Sequence, residues 1–162
     1  MSIVWIILAY FIGAIPSGYI IGRVFYGVNL KKVGSGNIGA TNAYRELGAK
    51  AGAAVFICDF LKGFIAVHLG MPDPTIVLAC AVFAIIGNDW SVFLHFKSGK
   101  GVACGVGAFT YICFPAVLAA FLVWLVLFKW KHIVSLGSIL AAPVVPIVML
   151  VVGEPLEYVA FA

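Results

Sequence analysis

Apolar residues fill this chain in long continuous blocks, and polar residues are confined to short islands between them. The blocks cover residues 2–22, 50–70, 74–93, 102–114, 115–129 and 135–153, and each predicts a helix. About 20 helical residues cross a bilayer core about 30 Å thick. The pattern therefore predicts an all-α polytopic transmembrane helix bundle of about six spans, forming a single integral membrane domain over residues 1–162.

The fourth and fifth blocks are short and adjoin each other. A single span through 102–128 would place the basic patches Lys97/Lys100 and Lys129/Lys131 on opposite sides of the bilayer. Two crossings that turn near Pro115 keep both patches on one side, as the positive-inside rule favours. Residues 1–22 contain no Lys, Arg, Asp or Glu, so the basic leader of a signal peptide is missing and the block is expected to be a retained first span.

With the N-terminus outside, Arg23, Lys31, Lys32, Arg45, Lys50, Lys97, Lys100, Lys129 and Lys131 all fall on the cytoplasmic side, and only Lys62 lies within a span. The outer connections carry Asp73, Glu154 and Glu157. Composition then acts by exclusion. Hydrophobic residues make up 64% of the chain and charged residues 10%, whereas a soluble globular domain carries about 25% charged residues. The four cysteines, Cys58, Cys80, Cys104 and Cys113, lie in apolar stretches without CxxC spacing, and are expected to be small buried hydrophobes rather than metal ligands or disulfides.

The topology gathers the islands at 33–45, 96–101 and 135–138 on one face, each expected just before a helix whose free N–H groups and positive dipole end favour an anion. One shared phosphate-binding pocket is the economical expectation. In the first island, Gly34-Ser35-Gly36-Asn37-Ile38-Gly39 satisfies G-x-G-x-x-G, but a dinucleotide fingerprint needs a preceding strand, and here an apolar helix precedes it. Bare backbone at Gly34 and Gly36 still permits close approach of a ligand, and Ser35, Asn37, Thr41 and Asn42 supply donors. Thr41 and Arg45 share a helical face, and Arg45 can pair with phosphate through two N–H groups. The bland alternative is a solvated loop and a capped helix.

The second island, His95-Phe96-Lys97-Ser98-Gly99-Lys100-Gly101, resembles a P-loop fragment but lacks the P-loop spacing and its metal-binding hydroxyl, which argues against nucleotide hydrolysis. Lys100, between Gly99 and Gly101, can act as a point charge at a helix start, while Lys97 suits a positive-inside anchor. In the third island, Ser135 is expected as a helix N-cap and Ser138 as a small packing residue, unless both join the pocket. Asp59 and Lys62 lie three apart within the second block, where charges are costly; they are expected either to pair or to support the pocket. Asn88 and Asp89, at the inner end of the third block, could cap that helix or line the pocket.

Taken together, Gly34-Ser35-Gly36-Asn37-Ile38-Gly39-Ala40-Thr41-Asn42 with Arg45, Asp59-Phe60-Leu61-Lys62-Gly63, Phe96-Lys97-Ser98-Gly99-Lys100-Gly101-Val102-Ala103 and Ser135-Leu136-Gly137-Ser138-Ile139 are similar, in order and spacing, to the PlsY family of bacterial acyl-phosphate-dependent glycerol-3-phosphate acyltransferases. The resemblance implies a multi-pass enzyme of the bacterial cytoplasmic (inner) membrane with its site facing the cytoplasm. Its expected reaction moves a fatty acyl group from acyl phosphate to the 1-hydroxyl of glycerol 3-phosphate, giving lysophosphatidic acid and phosphate for phospholipid biosynthesis. No cofactor or metal is implied, and its partners would be the two substrates and membrane lipid, with no nucleic acid.

By this resemblance Lys100, Arg45 and Ser35 carry the chemistry, and Gly36, Asn37, Thr41, Asn42, Gly99, Gly101, Ser135 and Ser138 bind substrate phosphate, with Asp59, Lys62 and Asn88 in support. Asn88 stands where the family pattern has His, Ser98 where it has Gly, and the pattern's seventh span falls beyond Ala162, so a C-terminally short member is expected. The competing expectations are a membrane transporter or binding protein for a phosphorylated small molecule, and an inactive truncated homologue.

Overall fold

The computed structural model describes residues 2–131 and 133–162, and every regular element among them is helical. The order is α1 (Ser2–Ala14), α2 (Ser17–Tyr26), α3 (Ala40–Leu47), α4 (Ala49–His68), α5 (Pro74–Asp89), α6 (Val102–Ile112), α7 (Phe114–Lys131), α8 (Val134–Ala141), α9 (Val144–Val152) and α10 (Leu156–Phe161), with 3₁₀ turns at Leu30–Lys32 and Val92–Leu94. By length and composition Ile3–Tyr26, Ala49–His68 and Pro74–Leu94 suffice to cross a membrane, while Val102–Ile112, Phe114–Trp130 and Leu136–Val152 are apolar but shorter. Contacts divide the chain into two compact units, one ending at Ala108 and the other covering Phe109–Ala162.

The first apolar block is not one continuous helix. Pro16 has no N–H to donate and its ring obstructs the preceding turn, so α1 stops at Ala14 and α2 starts at Ser17. The break takes two main-chain carbonyls out of the helical ladder in an apolar setting; that of Ile15 keeps a local bond from the Ser17 N–H at 3.0 Å, and both are met by side chains. Ser91 Oγ donates to the Ala14 carbonyl at 2.5 Å, and Lys62 Nζ donates to the Ile15 carbonyl. Lys62 also pairs with Asp59 at 2.6 Å, with both side chains almost fully buried. Of the two roles expected for this pair, the structure shows the direct pairing, extended to close the helix break.

Small residues let the helices of the first unit approach closely. A methyl group on Gly13 or Gly87 would overlap the backbone of Ala84 or Tyr10, so α1 and α5 meet with no side chain between them. Gly63 of α4 and Gly107 of α6 stand in the same relation to the carbonyls of Cys104 and Phe60. Ala9, Ala66, Cys80, Ala84 and Cys104 form the buried cluster between these elements. Large apolar side chains such as Ile3, Val24 and Phe25 point outward, as a lipid-facing surface requires. Cys80, Cys104 and Cys113 are buried as expected, but Cys58 is exposed, on the same outward face of α4 as Ile57, Leu61 and Ile65.

In the second unit α7 packs against α8 and α9, and α9 against α10. Cys113, Ala116 and Met149 form its buried centre, and Phe109 stacks on Phe161 with ring centroids 5.2 Å apart. The turn before α7 falls at Cys113, and Pro115 sits in the first helical turn, where its missing N–H costs nothing. The last block is broken at Ala142 and Pro143 into α8 and α9. Ser135 and Ser138 lie inside α8 instead of preceding it, and Ile133 takes the N-cap position expected for Ser135. The side chain of Ser135, and His132 in the adjoining basic patch, lie outside the described residues.

Removing Lys62 alone should be far more damaging than removing the pair. Lys62→Met leaves Asp59 buried without a counter-charge and is expected to cost about 3–5 kcal/mol in detergent-titrated unfolding, with much of this recovered in Asp59→Leu/Lys62→Met.

Candidate functional site

The first island is organised around the buried amide of Asn42, in the first turn of α3. Its Nδ2 group lies 2.8 Å from the Asn37 carbonyl, 3.2 Å from that of Val33 and 3.3 Å from that of Leu30. Its Oδ1 accepts the Ser35 N–H at 3.0 Å. Gly34 and Gly36 have φ of 56° and 72°, the left-handed region that favours glycine. At Gly34 a side chain would also strike Asn42 Oδ1 and the Glu46 carboxylate. Asn37 Oδ1 fixes the end of the loop by accepting the Gly39 N–H at 2.7 Å.

Asn42 was expected to bind phosphate, but its amide is engaged within the loop. It engages the carbonyls of Leu30, Val33 and Asn37, which are thereby satisfied within the protein. Ser35, Thr41 and Arg45 are left exposed around the loop and the start of α3, with Asn37 half-buried.

The second island hangs on the C-terminal end of α5. The Asn88 and Asp89 carbonyls, which lack partners further along the helix, accept the Gly99 and Ser98 N–H groups at 3.0 and 3.2 Å. Asn88 is buried and its Oδ1 packs against Gly99, where a side chain would collide with it. The Asp89 carboxylate flanks Gly101 in the same way, and its Oδ1 is buried without a hydrogen-bond partner among the described residues. The left-handed residues of this loop are His95, Phe96 and Gly101, with φ of 54°, 59° and 62°. Ser98 is not among them, so a serine there carries no left-handed strain. Lys100 is exposed immediately before α6.

The first unit brings these two islands together. Lys31 Nζ donates to the Leu94 carbonyl at 3.3 Å, and Leu30, Ile38, Ala43, Val55 and Leu94 share one buried cluster. Sequence patterning assigned Lys31 only a topological charge; nothing in hydropathy or spacing signals a contact across 63 positions. An apolar hollow of about 380 Å³ lies beside the join, lined by Ile15, Pro16, Tyr19, Ile20, Phe93 and Leu94. Ser135 and Ser138 belong to the second unit, where Ser138 is half-buried. Among the described residues, no group of three or more His, Cys, Asp or Glu side chains could hold a metal ion.

A family model described as glycerol-3-phosphate acyltransferase matches residues 3–162. The chain is 42% identical over 163 residues to glycerol-3-phosphate acyltransferase 2 of Moorella thermoacetica, covering 99% of this chain and 84% of that one. It is 40% identical to glycerol-3-phosphate acyltransferase of Aquifex aeolicus, covering 97% and 83%. Among solved structures, it is similar to the integral membrane glycerol 3-phosphate acyltransferase PlsY in its glycerol 3-phosphate form, with a TM-score of 0.93, 38% identity and coverage of 99% and 82%. The lysophosphatidic acid form of PlsY gives a TM-score of 0.90 at 35% identity, with coverage of 99% and 81%.

Truncation of Asn42 should loosen the first island selectively. In Asn42→Ala, amide hydrogen exchange over residues 33–39 is expected to accelerate by about tenfold or more, the equivalent of about 1.4 kcal/mol, while the amides of α5 keep their protection.

Proposed function

The chain belongs to the glycerol-3-phosphate acyltransferase family, and we infer that it transfers a fatty acyl group from acyl phosphate to the 1-hydroxyl of glycerol 3-phosphate, giving lysophosphatidic acid and phosphate. It is an integral membrane enzyme of phospholipid synthesis that acylates glycerol 3-phosphate. The use of acyl phosphate as donor, the inner-membrane location and a cytoplasm-facing site are our assignments, the last two supported by the distribution of basic residues along the chain.

The observation that carries the site assignment is the joining of a glycine-rich loop, held by the Asn42 amide, to a lysine loop at the start of α6. Both substrates carry phosphate, and these loops offer Ser35, Arg45 and Lys100 as exposed donors. Acyl phosphate is an activated mixed anhydride, so catalysis can rest on positioning and on stabilising charge at the leaving phosphate and the carbonyl oxygen. The hydroxyl oxygen attacks the acyl carbon, the bond from that carbon to the phosphate oxygen breaks, and the hydroxyl proton passes to the departing phosphate. Lys100 and Arg45 neutralise the phosphates during this exchange, and Ser35 donates to an oxygen. The neighbouring apolar hollow suits an alkyl chain.

Purified protein should release phosphate from acyl phosphate only when glycerol 3-phosphate is present. Lys100→Ala is expected to lower kcat/KM by about 10²–10³ with unchanged thermal unfolding; near-normal turnover by that variant would remove Lys100 from the mechanism.

A further inference from the structure

We propose that Lys31 is a positioning residue for acyl transfer: its ammonium group sets the lysine loop in register with the glycine-rich loop. The inference rests on the site assignment above and extends it to a residue that lies outside both islands.

Three observations converge on Lys31. Its 3₁₀ turn is fixed from both sides, because Asn29 Oδ1 accepts the Lys31 N–H at 3.1 Å and Leu30 is fully buried. The stem of Lys31 is half-buried, and its Nζ reaches the carbonyl of Leu94, the last residue of the 3₁₀ turn Val92–Leu94. That carbonyl also receives the Lys97 N–H at a long 3.4 Å.

Leu94 is the point at which the lysine loop leaves its scaffold. It is followed by His95 and Phe96, successive left-handed non-glycine residues, a conformation that persists only where the surroundings hold it. Further along, the Phe96 N–H returns to the Ser91 carbonyl at 2.9 Å, and the Ser98 and Gly99 N–H groups bind the end of α5. Among the described residues, the Lys31 ammonium supplies a side-chain hydrogen bond from the segment that leads into Ser35 to Leu94, at the base of the lysine loop; the bond is long at 3.3 Å, and its charge strengthens it over a neutral donor. Lys32, next in sequence, is exposed and carries the same charge without this contact, so the two lysines separate positioning from bulk electrostatics.

The test compares Lys31→Met, Lys31→Arg and Lys32→Met in the full-length protein. Lys31→Met should reduce kcat/KM for glycerol 3-phosphate by about 10–100-fold, Lys31→Arg should recover most of the loss, and Lys32→Met should stay within about twofold of the parent. In parallel, amide exchange over residues 95–101 should accelerate at least about fivefold in Lys31→Met only, with α1 and α5 unchanged as the check on folding. Equal losses in Lys31→Met and Lys32→Met, or unchanged exchange over 95–101 in Lys31→Met, would overturn the proposal. If Lys31→Met fails to fold, Lys31→Gln, shorter and neutral, is held to the same two readouts. If the parent protein makes no product from acyl phosphate, the donor assignment falls, while the exchange comparison still decides whether Lys31 holds the loop.

Discussion

The interaction on which the rest of the first unit depends is the closure of the break at Pro16. Lipid offers no hydrogen-bond donors, so a carbonyl freed within a span must find one inside the protein. The Ala14 and Ile15 carbonyls find Ser91 and Lys62, which come from the end of α5 and the middle of α4. One backbone defect thereby ties three helices together. Ser91 opens the segment that leads through Leu94 to Lys100, and α2, beyond the break, carries Gly18 against the backbone of Ile38 in the first island. The break thus touches both loops of the site. A straight first helix would keep both carbonyls within its own ladder and leave neither open to Ser91 or Lys62.

Much of this was legible in sequence because lipid imposes a simple rule, and continuous apolar blocks have few alternatives to helices. The positive-inside argument that divided 102–129 at Pro115 agrees with a helix boundary at Cys113. The breaks at Pro16 and Pro143 were not read from the same pattern, since hydropathy is blind to a missing N–H. The N-cap expected at Ser135 falls elsewhere for a related reason: a small polar residue before an apolar run looks like a cap, yet the helix starts at Val134 with Ile133 ahead of it.

Within the site, residue type was easier to read than residue duty. Asn42 and Ser35 both look like phosphate donors on paper, but only the fold reveals that the Asn42 amide is surrounded by carbonyls while the Ser35 side chain is exposed. Lys31 and Lys32 are indistinguishable in sequence. The 3₁₀ turn sends the first toward Leu94 and leaves the second exposed. Asp59 and Lys62 were legible because buried charge inside a span has few outcomes, though the third participant, the Ile15 carbonyl, was not.

The same distinction bears on Asn88, which by resemblance was expected to replace a histidine. Asn88 is buried, its side-chain oxygen packs on Gly99, and its main-chain carbonyl holds the Gly99 N–H. These are the duties of a support, and none requires a proton to be gained or lost. A mechanism that needed a protein base here would be impaired by an amide, because asparagine hydrogen-bonds but does not titrate. A mechanism in which the hydroxyl proton leaves with phosphate is not. The buried amide beneath the lysine loop therefore fits the proposed chemistry by placement, in which the loops would position the two phosphates and the activated anhydride would supply the driving force.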